Sequence, residues 1–269
     1  MCFNTSQNKK AEAIAKKYGR KLDIIEAVRQ ILAEQEAEQM EEKGSANVYE
    51  THLNDGMYVS PGWAHPFSVI VSSSDQLQVM QWGLIPQYAT LIERDRYIRE
   101  SRYRNARSDK LFSSPLWKRI TNNRCVIPVT GFFEPHENND KSKQPYYIEM
   151  KNKELFSIAG LYEEWTHPQT GEKTLTFVLI TVDATPKLAE IHNGGEHPNR
   201  MPLILWDEQA QGWLNPDMKE QADIENYLVT PDIDNEIIAW PVRHKFDRGN
   251  PYDHTIIQKV ATQRGLDLR

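Results

Sequence analysis

The chain of 269 residues has a formal net charge of −6, with 39% hydrophobic and 26% charged residues. No apolar run approaches the ~20 residues of a membrane span, and the first residues lack the basic-then-apolar pattern of a leader, so the sequence reads as a cytoplasmic protein with no membrane partner. The acidic balance argues against general nucleic-acid affinity, which needs cations for phosphates. Two cysteines without metal-ligand spacing exclude a zinc site of the usual kind.

The sequence opens MCFNTSQNKK, and Cys2 follows a methionine that aminopeptidases remove when the next side chain is small. A terminal cysteine presents an amine and a thiol two carbons apart, with ordinary pKa values near ~8 and ~8.5. The pair can attack one aldehyde, the amine giving an imine and the thiol closing a five-membered thiazolidine. A helix is predicted over residues 8–18, stopping at Gly19. A second is predicted from Leu22 toward Met40, with Ile24, Ile25, Val28, Ile31 and Leu32 on one face. This helical insertion, at about 20–45, turns too polar to bury along AEQEAEQMEEKGS.

From Pro66 the pattern changes to short runs rich in Val, Ile, Tyr, Phe and Trp: FSVIVSS, LQVMQWGLI, RCVIPVTGFF, PYYIEM, LFSIAGLY, TLTFVLITV, MPLILW and EIIAWPV. They predict an α+β fold, a single domain over 1–269 with a curved, barrel-like antiparallel β core flanked by helices. Helical patterns recur at TPKLAEIH and EQADIENYL, GFFEPHENND reads as a turn, and Cys125 reads as a core residue. Between Glu93 and Lys110 lie Arg94, Arg96, Arg99, Arg102, Arg104 and Arg107, with Tyr97 and Tyr103 interleaved. Such a segment can track a phosphate backbone while its rings meet bases, or form a solvated salt-bridged loop.

Four polar positions stand out against this β pattern: Cys2, Asn105 with Arg107 in RNARSD, Glu134 at the end of VIPVTGFFE, and His192 after TPKLAEI. A carboxyl at the mouth of a β core is placed to shuttle protons. Each also has a plain structural explanation: a turn cap for Asn105, a lysine partner for Glu134, a helix C-terminus for His192. Together with WGLIP at 82–86, NAR at 105–107, RCVIPVTGFFE at 124–134, IH at 191–192 and RMPLIL at 200–205, the set resembles the SRAP family, first named SOS-response-associated peptidases.

The resemblance implies covalent capture of abasic sites in single-stranded DNA. Cys2 would be the nucleophile, Asn105 would hold the opened sugar, Glu134 would act as acid and base, and His192 would assist sugar opening and imine chemistry. Arg104, Arg107 and Arg200 would contact DNA, with Trp82 as a stacking wedge. It also implies imine-linked lyase activity, release of Met1 (by the protein itself or by an aminopeptidase), a monomer without cofactor or metal, and association with the nucleoid when bound to DNA. The chain departs from the family's pattern in three places. Phe3 and Asn4 replace the usual GR after MC, Pro135 follows Glu134 in place of Trp, and the loop HNGGEHPNRMP is long enough to offer His197 as an alternative to His192. A second reading is an N-terminal nucleophile peptidase or amidohydrolase, which needs an oxyanion hole and no DNA channel. A third, a non-catalytic DNA-binding module, leaves Cys2, Glu134 and His192 without a task.

Overall fold

The structure, a computed structural model, describes residues 4–22, 56–100, 102–195 and 197–261. Cys2 and nearly all of the expected helical insertion lie outside these residues. The chain enters as strand β1 (Asn4–Gln7) and helix α1 (Ala11–Tyr18), which ends, as the sequence predicts, on Gly19 in the left-handed region at φ 61°. Three strands follow, β2 (Met57–Pro61), β3 (Phe67–Ile70) and β4 (Gln78–Trp82). The basic segment is not a loop but helix α2 (Leu91–Arg99), started by a capping box between Thr90 and Glu93 and followed by β5 (Asn105–Arg107).

Helix α3 (Pro115–Ile120) leads into β6 (Arg124–Val129) and β7 (Gly131–Glu137), then β8 (Lys143–Met150) and the long strands β9 (Phe156–Thr166) and β10 (Lys173–Asp183). Helix α4 (Pro186–Ile191) precedes β11 (Arg200–Pro202) and β12 (Ile204–Leu205). Helices α5 (Asp207–Trp213) and α6 (Gln221–Glu225) and strand β13 (Ile237–Pro241) follow.

Two sheets form. The first runs β13-β8-β7-β1-β2 with every neighbour antiparallel, and the second runs β12-β9-β10-β4-β3, with β6 on β9 and both β5 and β11 on β10. The expected barrel is corrected by this arrangement: among the described residues no sheet closes on itself. The nearest approach is one bridge between Val71 and Val126, a single pair and not a ladder. The core is not wholly antiparallel either, because β4 and β5 both lie parallel to β10.

One apolar cluster joins the sheets, with Phe132 and Ile148 of the first packed among Phe156, Val178 and Ile180 of the second. The run VIPVTGFFE is two strands, and the chain passes from one sheet to the other at Thr130. GFFEPHE is therefore strand, and the turn comes later, where the Asn138 N–H and side-chain amide donate to the Ser142 carbonyl and hydroxyl. Gln7, buried on β1, ties the sheets from the inside. Its amide donates to the carbonyls of Val69 (2.9 Å) and Pro128 (2.7 Å) and accepts from the Val69 N–H (3.1 Å). Among the described residues no helix is long and apolar enough to cross a membrane.

Candidate active site

Side chains alternate along a strand, so Glu134 shares a face of β7 with Phe132, which lies in the shared core. A carboxyl is thereby carried inward, opposite Tyr146 of β8, and is 2% exposed. Burying such a group costs several kcal/mol unless it is paired, and a carboxyl carried into a core is a candidate site residue. β1 pairs with this strand as far as Asn4 opposite Phe133, one residue short of Glu134.

His192 is the residue on which α4 ends. Its N–H bonds back to the Leu188 carbonyl, and its ring Nδ1 lies 2.8 Å from the carbonyl oxygen of Arg200. A carbonyl only accepts, so Nδ1 carries the hydrogen, and in the neutral ring Nε2 holds the lone pair. That Nε2 faces Glu134 Oε2 at 3.9 Å. Burial pushes the ring's pKa down to about 4, with the positive amino terminus and Lys143 assisting and the Arg200 carbonyl opposing. Near neutral pH the contact is therefore between a carboxyl and an uncharged imidazole, not an ion pair. The gap exceeds a hydrogen bond and admits a donor that can reach both. His197, by contrast, is exposed in the loop beyond, whose end is closed by the Asn199 N–H on the His192 carbonyl at 2.8 Å. The extra residues of HNGGEHPNRMP thus follow His192 and do not displace it.

Asn105 and Arg107 stand on β5, with Asn105 opposite Leu179 and Arg107 opposite Thr181 of β10. Across β10, Arg200 pairs with Asp183. Arg107 is exposed and doubly bonded to Asp109 at 2.9 Å, a contact that raises its pKa. Two of the expected DNA contacts are corrected. Arg200 is 6% exposed, with its guanidinium spent on Asp183 and on the carbonyl and hydroxyl of Thr181, so it braces the end of β10. Trp82 is wholly buried, stacked on Phe177 at 6.0 Å and donating from Nε1 to the Arg104 carbonyl, and cannot be a stacking wedge where it stands.

The tyrosines of the basic segment also turn inward: Tyr97 is buried, and half-buried Tyr103 meets Tyr97 and Trp117. Arg104 is half-buried, and burial lowers its pKa. Arg94 meets Asp95, and Arg102 meets Glu100, so the salt-bridged alternative describes much of this surface. Among the described residues the aromatic side chains most open to solvent are Tyr88, 64% exposed beneath the Arg119 guanidinium, and Trp63. Tyr88 lies one residue beyond WGLIPQ, and only exposure, which no motif encodes, distinguishes it from Trp82. His65 was equally unmarked. Buried at φ 48°, it links β4 to α2 through the carbonyls of Trp82 (2.8 Å) and Ile98 (2.9 Å). Among the described residues no group of His, Cys, Asp and Glu could hold a metal ion.

A two-sheet α+β scaffold with a buried carboxyl facing a neutral imidazole is of the class equipped for acid–base chemistry. The chain belongs to the SRAP family, SOS response associated peptidase, which it matches over residues 1–248. The abasic site processing protein YoqW of Bacillus subtilis is 34% identical over 164 residues, covering 61% of this chain and 68% of YoqW. The abasic site processing protein HMCES of Xenopus tropicalis is 32% identical over 164 residues, covering 54% of this chain and 46% of HMCES. A crystal structure of a Bacteroides thetaiotaomicron protein superposes with a TM-score of 0.80 at 33% identity, covering 97% of this chain and all (100%) of that one.

Proposed function

We propose that this chain processes abasic sites in single-stranded DNA, acting as a monomeric single domain that captures the open-chain sugar aldehyde on Cys2 once Met1 has been removed. The observation that carries the reading is the Glu134–His192 pair, 3.9 Å apart and set beside β1. Cys2 is two residues before Asn4 in the sequence, and Asn4 lies opposite Phe133. The YoqW and HMCES names supply the substrate class.

In the proposed sequence the Cys2 amine adds to the aldehyde carbon and the carbinolamine loses water to give an imine. The thiol sulfur then adds to the same carbon, the imine nitrogen takes up the proton that the thiol gives, and the thiazolidine closes with no change of oxidation state. Glu134 and neutral His192 carry the protons, and Asn105 holds the opened sugar. Arg107, Arg104 and Tyr88 contact the strand. Elimination from the imine gives the lyase branch, and attack by the same cysteine on its own preceding bond gives the self-processing implied by the family's description as a peptidase.

Intact mass after incubation with an abasic oligonucleotide tests the reading. The expected product is protein lacking Met1 plus oligonucleotide less one water, and Cys2→Ala is expected to give none while still binding the strand. Full-rate capture by a form that keeps Met1 would overturn it. An N-terminal nucleophile hydrolase would instead cleave amides and bind single-stranded DNA no better at low salt than at high.

A further inference from the structure

We propose that Asn193 is a positioning residue, whose side-chain amide docks the loop after α4 onto the edge of β7 and so fixes His192 against Glu134. The inference rests on the reading of His192 as a proton carrier. The docking residues lie in the loop HNGGEHPNRMP between α4 and β11.

The edge of β7 shows why a dock is needed there. β1 covers it at Gly131, Phe132 and Phe133. Further along, the Asn193 side chain takes over. Its Oδ1 accepts from the Glu137 N–H at 2.8 Å and its Nδ2 donates to the Glu137 carbonyl at 3.1 Å, the two-point pairing a neighbouring strand would make. Glu134 lies between these two supports.

Two neighbours reinforce the contact. His136 Nδ1, 2.9 Å from the Glu190 carbonyl, donates to the last turn of α4. Gly194 passes so close beneath Glu137 that a Cβ there would lie 2.6 Å from the Glu137 Cβ, so no larger residue allows this approach. The other face of the loop is held by His192 itself, through the Asn199 N–H on its carbonyl and its own Nδ1 on the Arg200 carbonyl. His192 is thus suspended between β11 and a loop whose attachment to β7 is made by side chains of the loop. Release of that attachment leaves the loop held only from the β11 side and so loosens the ring against Glu134 and admits water around it.

The charged groups that act on the ring are Glu134 from β7, the positive amino terminus and Lys143 from β8, while β11 offers the Arg200 carbonyl. None of these is altered by changing Asn193, so any movement in the titration of His192 reports on its burial and placement. The test compares Asn193→Ala and Gly194→Ala with His197→Ala, an exposed residue of the same loop. The His192 ring is followed by NMR against pH, and single-turnover capture of an abasic oligonucleotide is followed against pH in parallel.

Both docking variants are expected to raise the His192 pKa from about 4 toward its ordinary 6.5. They are also expected to slow capture roughly 10- to 100-fold, as small misplacements of a reacting group do. The acid limb of the capture profile should shift upward with the ring, and affinity for intact single-stranded DNA should stay unchanged. His197→Ala should leave the ring's titration and the capture rate alone. An unchanged His192 titration in both docking variants overturns the proposal. A moved titration with an unchanged capture rate supports the docking role and overturns instead the assignment of His192 as a proton carrier.

Discussion

His192 makes the folded protein sensitive to acid, and the sign follows from where its proton binds. Burial holds the folded ring near 4, below its ordinary 6.5, so between those values the unfolded chain binds a proton that the folded chain refuses. Stability contributed by the neutral ring is complete above pH 6.5 and is lost as pH falls toward 4. The difference corresponds to about 3 kcal/mol. Urea unfolding across this window should show that loss, and His192→Gln should flatten it; the same slope in the variant would place the titration elsewhere. Glu134→Gln separates chemistry from folding. Replacing the buried carboxyl by an amide of the same volume should leave stability no lower, whereas loss of a proton carrier should slow capture by about 10²- to 10⁴-fold.

At the scale of elements, Gln7 is the cross-tie between sheets, and its three bonds to Val69 and Pro128 make it costly to lose. Gln7→Ala should destabilise by about 3 kcal/mol, since it strands buried backbone groups. The expected signature is a lower urea midpoint at an unchanged slope. What the sequence reveals at this scale is local. α1 and its glycine stop, α4 and His192, and the strand character around Glu134 all depend on residues within a few positions of each other. What it conceals depends on remote partners. Nothing near Trp82 announces that Phe177 and the Arg104 carbonyl will enclose it, so an indole beside WGLIP reads equally well as wedge or core. The crossing at Thr130 is invisible because both flanking strands are apolar and the hydrophobic run does not pause between them. The parallel placement of β4 and β5 on β10 joins segments some 75 to 100 residues apart, a choice of partner that strand propensity does not encode.

For the molecule as a whole, a net charge of −6 means that affinity for a polyanion must come from how cations are placed. Arg107 is exposed but shares its charge with Asp109, so binding a phosphate there requires exchange of one anion for another. Each phosphate neutralised should add roughly 0.7 to the slope of log affinity against log salt for a single strand. Arg107→Ala is therefore expected to weaken binding and flatten that slope, measured by titration of a fluorescent oligonucleotide. Tyr88→Ala should cost about 1–3 kcal/mol with no change of slope, because base stacking carries no charge. Equal slopes for Arg107→Ala and its parent would return this surface to internal ion pairing.

β1 is the first strand in the chain, yet both of its neighbours come much later, at residues 57–61 and 131–133. During synthesis it must wait for β7 to be made, on the order of ten seconds at ~5–20 residues per second. Through that interval β1 stands without its β7 neighbour. Arrival of Gly131–Phe133 ends the wait by seating β1 between two strands. On the proposed reading, the order of translation separates removal of Met1 from assembly of the site that Cys2 is to serve, with the fold itself keeping the time.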